Sequence, residues 1–208
     1  MLIGDGAQVW NVNPLIVSVD GFLSGAECET IIALARGHLE RATVIDPEHR
    51  IAYSDERTNS HCIIAPRQNA ALATLCLKLG ALLRLPFPNA EGVSVLHYAP
   101  GQQFREHADG FSIEREPDYV AAIEANGGQR LFTTICYLSD VEEGGATRFP
   151  VLGCEVTPKR GRLLIFANTL AGSRDVTGLV NHAGTPVTKG EKWAATVWWR
   201  ERTWVPTP

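Results

Sequence analysis

The chain has 208 residues, is 45% hydrophobic and carries a net charge of -4, so it holds enough apolar material to bury one full core without disulfide staples. The acidic balance argues against nucleic-acid binding, which draws on clustered Lys and Arg. No apolar run approaches the ~18 residues that span a bilayer, and the start, Met1 to Gly6, lacks the basic segment and apolar core of a secretory leader, so a soluble, cytoplasmic protein without a membrane partner is expected.

In chain order, Ser24-Gly25-Ala26-Glu27 has the form of a capping box, and it predicts a helix on which Cys28, Ile31, Ile32, Ala35 and Leu39 share one face. After a polar loop from Asp46 to Asn59, the stripe Leu72, Leu75, Cys76, Leu79, Leu82 and Leu83 predicts a second helix, closed by Leu85-Pro86. Both stripes belong to a core rather than to a cofactor surface. From Gly92 the pattern changes to short β-type runs, Val93 to Tyr98, Phe132 to Leu138, Arg162 to Ala167 and Trp193 to Trp199, punctuated by Gly and Pro. No regular β-helix-β alternation is visible, which favours a closed or double-sheet architecture over a parallel α/β sheet. The expectation is one α+β domain over residues 1–208, with a helical support region (1–90) and a mainly β core (91–204). The five cysteines, Cys28, Cys62, Cys76, Cys136 and Cys154, are odd in number, scattered and without a C-x-x-C pair, so neither a disulfide framework nor a zinc site is expected.

The chemistry concentrates at Phe104-Arg105-Glu106-His107-Ala108-Asp109. In an extended strand side chains at i and i+2 share a face, so His107 and Asp109 can grip one ion from one strand. A third ligand must come from a distant element, and His182, in the short apolar run Leu179-Val180-Asn181-His182, fits as part of a neighbouring strand. Two imidazoles and one carboxylate make the face that holds Fe(II) with positions open for O2 and a cosubstrate. The polar stretch from Gly110 to Asn126 directly follows the first two ligands and is of the kind that serves as a lid.

Four ordered blocks then carry a resemblance: Leu96 to Asp109, Gly127-Gly128-Gln129-Arg130, Tyr137 to Pro150, and His182 to Val187 with Gly190-Glu191-Lys192-Trp193. Together they resemble the prolyl 4-hydroxylase family of Fe(II)/2-oxoglutarate dioxygenases, with Asp20 to Ser24, Glu27-Cys28 and Arg57-Thr58 as looser matches. The resemblance implies a double-stranded β-helix (a jelly roll), iron held by His107, Asp109 and His182, 2-oxoglutarate as cosubstrate, O2, and ascorbate as a reductant. It implies that Lys192 neutralises the far carboxylate of 2-oxoglutarate, with Tyr98, Thr147 and Thr196 supplying hydroxyls nearby, and that Arg130 and Trp198 line a peptide groove. Without the resemblance, Lys192 would read as a surface lysine and the Tyr and Thr residues as ordinary strand packing. Asp109 favours hydroxylation, since related halogenating enzymes lack that carboxylate. Phe104 stands where many peptide-hydroxylating relatives have tyrosine and Arg200 where they often have histidine. Three readings stay open: hydroxylation of a prolyl residue in a peptide or protein, hydroxylation of a free amino acid or other small metabolite, and a non-catalytic sensing module. Oligomeric state is not readable from the sequence.

Overall fold

A computed structural model describes residues 6–45, 50–112 and 119–206. Its elements begin with β1 (Ala7–Asn11), β2 (Ile16–Val19), α1 (Gly25–Ala35), β3 (Glu40–Arg41), β4 (Val44–Ile45), β5 (Ile51–Ala52), β6 (Ser60–Ile64) and α2 (Ala70–Leu83). There follow β7 (Val93–Tyr98), β8 (Phe104–His107), α3 (Val120–Ala125), β9 (Arg130–Tyr137), β10 (Glu143–Gly144), β11 (Thr147–Phe149), β12 (Cys154–Val156), β13 (Leu163–Ala167), β14 (His182–Gly184), β15 (Val187–Lys189) and β16 (Lys192–Arg200).

Both helices form where their caps and stripes place them. Ser24 Oγ accepts the Glu27 N–H, and the Glu27 carboxylate accepts the Ser24 N–H at 2.8 Å, which satisfies two N-terminal donors at once. The helix stops at Ala35, so Leu39 lies beyond it. Asn69 caps α2 through Oδ1, which accepts from Ala71 N and Leu72 N. Arg84, in the left-handed conformation, ends α2 just before Leu85-Pro86.

The strands form an eight-stranded sheet in the order β1-β2-β13-β9-β16-β7-β6-β3 and a four-stranded sheet in the order β12-β11-β14-β8. Side-chain alternation divides the larger sheet between two jobs. One face, including Val93, Val95, Cys136, Leu163, Ala195 and Trp199, packs against the buried stripes of α1 and α2. The other, including Ile135, Tyr137, Leu164, Phe166 and Ala194, meets Phe149 and Val156 of the smaller sheet. Two sheets facing across a core with helices backing one of them make the expected double-stranded β-helix.

Two expectations need correction. The first 90 residues are not simply helical: β1, β2, β3 and β6 are integral strands of the larger sheet. Their short, interrupted apolar runs gave little periodic signal, whereas the pairing of β2 with β13 and of β6 with β7 is long-range. The stretch from Gly110 to Asn126 is not all loop, because Val120 to Ala125 form α3 with Ile123 buried. Residues 113–118 of that stretch lie outside the described residues. All five cysteines are free. Among the described residues no helix is long and apolar enough to cross a membrane.

Candidate metal centre and cosubstrate cleft

His107 and His182 are directly opposite each other in register, on β8 and β14 of the smaller sheet. Their ring centroids are 4.3 Å apart. Asp109 is not on the strand with His107 as expected. β8 ends at His107 and the chain bends, carrying the carboxylate across towards the larger sheet. Gly110 permits that passage, since a Cβ there would come within 2.8 Å of Val176. The apolar run before His182 also departs from extension: Gly178–Val180 form a 3-10 turn and β14 starts at His182 itself.

Asp109 Oδ1 lies 3.5 Å from His107 Nε2, and Oδ2 lies 3.6 Å from His182 Nε2. Each histidine points its other ring nitrogen at a backbone carbonyl two residues earlier, His107 Nδ1 at Arg105 O (2.8 Å) and His182 Nδ1 at Val180 O (3.1 Å). A carbonyl only accepts, so Nδ1 carries the proton in each ring and the Nε2 lone pair faces inward. Burial lowers His182 to about 4 and so keeps it neutral. Burial alone would raise the Asp109 carboxyl, but His182, His107 and Arg130 outweigh it and hold the group well below the usual carboxylate range. Two lone pairs and a carboxylate therefore converge within 4.8 Å. Such a donor set is complementary to a cation, and its composition suits Fe(II).

The carboxylate is held from behind by residues that the sequence did not point out. Thr133 Oγ1 donates to Asp109 Oδ2 at 2.8 Å, and Asn168 Nδ2 donates to Thr133 Oγ1 at 3.1 Å. Arg130 NH1 donates to the Asp109 backbone carbonyl at 3.2 Å. Supports of this kind fix the orientation of a metal ligand. Strand parity offered one clue: Thr133 shares a face with Ile135, which lines the site, and with Tyr137.

The cluster lines a cleft that opens to solvent. Lys192, Thr196 and Trp198 reach its wall from alternate positions of β16, Tyr98 from β7 and Thr147 from β11. Lys192 is buried at 3% exposure, and its ammonium has neither ion pair nor hydrogen bond among the described residues. It lies 4.9 Å from the Tyr98 ring centroid and 5.6 Å from that of Tyr137. Burial lowers its pKa to about 7 and pushes Tyr98 up to about 12. The hydroxyls of Tyr137 and Thr147 are 2.7 Å apart, and Tyr137 OH also lies 3.3 Å from the Val156 carbonyl oxygen. Thr196 Oγ1 is buried and has no hydrogen-bond partner among the described residues. An uncompensated cation and a hydroxyl awaiting an acceptor, a few residues from a metal-ligand set, fit a carboxylate-bearing cosubstrate.

The other two expected site residues stand differently. Trp198 lines the cleft, its buried Nε1 without a partner among the described residues, and the Arg130 guanidinium stacks on its ring at 4.1 Å. Arg130 itself is committed: Nε and NH2 grip the two oxygens of Glu91 at 2.7 and 2.8 Å, while NH1 holds the Asp109 backbone. Three of its five N–H groups thus face protein rather than a peptide carbonyl. Arg200 is buried on the same Glu91 and donates to Gly128 O at 2.7 Å. Arg57, singled out above only as a looser match, lines the cleft and lies over the Phe104 ring at 4.6 Å. Phe104 in turn stacks on His107 with centroids 3.6 Å apart.

Comparison with known proteins extends the likeness well beyond the cluster. Residues 93–200 match the family model of the 2OG-Fe(II) oxygenase superfamily. The chain is 33% identical over 212 residues to probable prolyl 4-hydroxylase 3 of Arabidopsis thaliana, spanning 92% of this chain and 71% of that protein. It is 34% identical over 204 residues to probable prolyl 4-hydroxylase 7 of the same plant, of which it spans 62%. The structure is similar to the viral collagen prolyl hydroxylase of Paramecium Bursaria Chlorella virus-1 in its 2OG complex, with a TM-score of 0.68, 27% identity, and coverage of 95% of this chain and 98% of that one. Since the shared sequence runs through the metal ligands, the lysine strand and the helices behind them, the chain belongs to the prolyl 4-hydroxylase family of the 2OG-Fe(II) oxygenases.

Proposed function

We propose that this protein is an Fe(II)- and 2-oxoglutarate-dependent dioxygenase that hydroxylates a prolyl residue in a peptide or protein. The observation that carries the reading is Lys192, a buried ammonium without a counter-ion in the same cleft as the two-histidine, one-carboxylate cluster. The prolyl substrate is supported by the family, whose matched members are named prolyl 4-hydroxylases.

His107, Asp109 and His182 would hold the metal, with His182 neutral and Asp109 charged. Lys192 takes the far carboxylate of 2-oxoglutarate, assisted by the hydroxyls of Tyr98, Thr147 and Thr196. Metal, cosubstrate and O2 together supply the oxidising power that converts a C–H bond to C–OH, with succinate and CO2 as co-products. The protein contributes orientation and exclusion of water. Phe104, stacked on His107, and Trp198, on the opposite sheet, give that centre apolar walls. Arg130 secures both the Asp109 backbone and the Trp198 ring, so on this reading it orders the substrate side as well as touching it.

The test is incubation with proline-containing peptides, Fe(II), 2-oxoglutarate, O2 and ascorbate as reductant, followed by peptide mass. A gain of one oxygen at proline is expected, with matching succinate. Succinate formed without any change in peptide mass would overturn the peptide reading. Free proline and other small metabolites run in parallel would then identify the alternative class.

A further inference from the structure

Four buried polar side-chain atoms find no hydrogen-bond partner among the described residues, and three of them cluster: Ser94 Oγ, Thr196 Oγ1 and Trp198 Nε1. Ser94 and Thr196 are opposite each other in register on β7 and β16, and Trp198 follows Thr196 on the same face. Ser94 is completely buried and Thr196 is 4% exposed. Thr196 lines the cleft, whereas Ser94, beside it on the neighbouring strand, is not part of its wall. Directly opposed strand residues have β carbons about 4.5–5.5 Å apart, so although the two hydroxyls are not hydrogen-bonded to each other in the structure, a side-chain rotation brings them within reach. An unpaired buried hydroxyl costs about 1–3 kcal/mol. Pure packing would be served as well by alanine, so two adjacent hydroxyls left unpaired point to an acceptor that arrives from the cleft.

We propose that Ser94 is a positioning residue for the cosubstrate. Its hydroxyl donates to Thr196 Oγ1 and thereby turns the Thr196 proton into the cleft, towards an oxygen of bound 2-oxoglutarate. The inference rests on the cosubstrate reading given above. Without the ligand the two-hydroxyl relay has no terminal acceptor and nothing fixes either rotor. With it, both hydroxyls are satisfied at once, and bonds linked in a chain polarise and strengthen one another.

Two measurements on the full chain test this. Anaerobic calorimetry with Mn(II) in place of Fe(II) gives the affinity for 2-oxoglutarate, and thermal melting reports the ligand-free protein. Ser94→Ala should weaken 2-oxoglutarate about three- to tenfold while the ligand-free protein melts at the same or a higher temperature. Ser94→Ala combined with Thr196→Val should bind no more weakly than Thr196→Val alone, because the serine acts through the threonine. Unchanged affinity in Ser94→Ala, losses that multiply in the double variant, or a lower ligand-free melting temperature would each overturn the relay. Wild-type protein that takes up Mn(II) but not 2-oxoglutarate would instead overturn the cosubstrate reading, and the relay with it.

Discussion

Lys192 is the residue whose charge is most exposed to experiment. Burial lowers its pKa from 10.5 to about 7, so the folded, cosubstrate-free protein binds its proton less tightly than the unfolded chain does. Below about pH 7 both states are charged, and the full cost of burying the ammonium stands. Between about pH 7 and 10.5 the unfolded state holds the extra proton, so this residue makes stability rise with pH over that window. A carboxylate placed beside the ammonium reverses the preference. Affinity for 2-oxoglutarate should therefore be flat below about pH 7 and fall above it by up to about tenfold per pH unit, since each binding event must then take up a proton. Calorimetry at pH 8 in buffers of different ionisation enthalpy should show uptake approaching one proton. Lys192→Met should abolish that uptake, weaken binding and stabilise the ligand-free protein. If the wild type takes up no proton, the ammonium is already charged in the empty cleft and its counter-ion lies elsewhere.

At the scale of elements, the junction of the chain before β7 with β9 and β16 depends on one carboxylate. Glu91 is buried, and although burial alone would raise its pKa, Arg130 and Arg200 draw it down and keep it charged. Removing Glu91 would leave two buried guanidiniums facing each other, a loss that costs about 3–5 kcal/mol when one partner of a buried pair is deleted. Glu91→Ala should lower the urea midpoint accordingly, and because Arg130 also holds the Asp109 backbone, metal affinity should fall too. A change below about 1 kcal/mol in stability, with metal affinity intact, would show that the two arginines find other partners. This cluster was hidden from the sequence because its members sit 39 and 109 residues from Glu91. Separation along the chain likewise hid Thr133 and Asn168 behind Asp109. His107, Asp109 and His182 were legible because their types and spacing carry a chemical meaning and Lys192 only through the family resemblance, whereas a supporting threonine or glutamate looks like any other until the strands are paired.

Over the whole molecule, the two helices were legible because caps and 3.6-residue stripes are local signals, while β2 and β6 are held in the larger sheet by partners far along the chain. The helices are not idle supports, since they brace the face of the larger sheet opposite the cleft. Gly80 sits where α2 closes on both its own C-terminal turn and the sheet. A Cβ there would lie 2.7 Å from the Leu85 carbonyl oxygen and 3.2 Å from the Trp199 ring, and Trp199 is on β16 immediately after the cleft residue Trp198. Replacing a helical glycine with alanine ordinarily gains about 1 kcal/mol in helix propensity. Here the nearest obstacle is backbone, anchored by the Leu85 N–H donating to Gly80 O at 3.0 Å, so the contact cannot be relieved by a side-chain rotation. Overpacking of this kind costs about 1–3 kcal/mol and outweighs the propensity gain. Gly80→Ala should therefore lower the melting temperature, and by displacing β16 it should also weaken 2-oxoglutarate binding at a cleft it never touches. A variant at least as stable as the wild type would mean that α2 can move off the sheet freely, and that the helices do not set the position of the lysine strand.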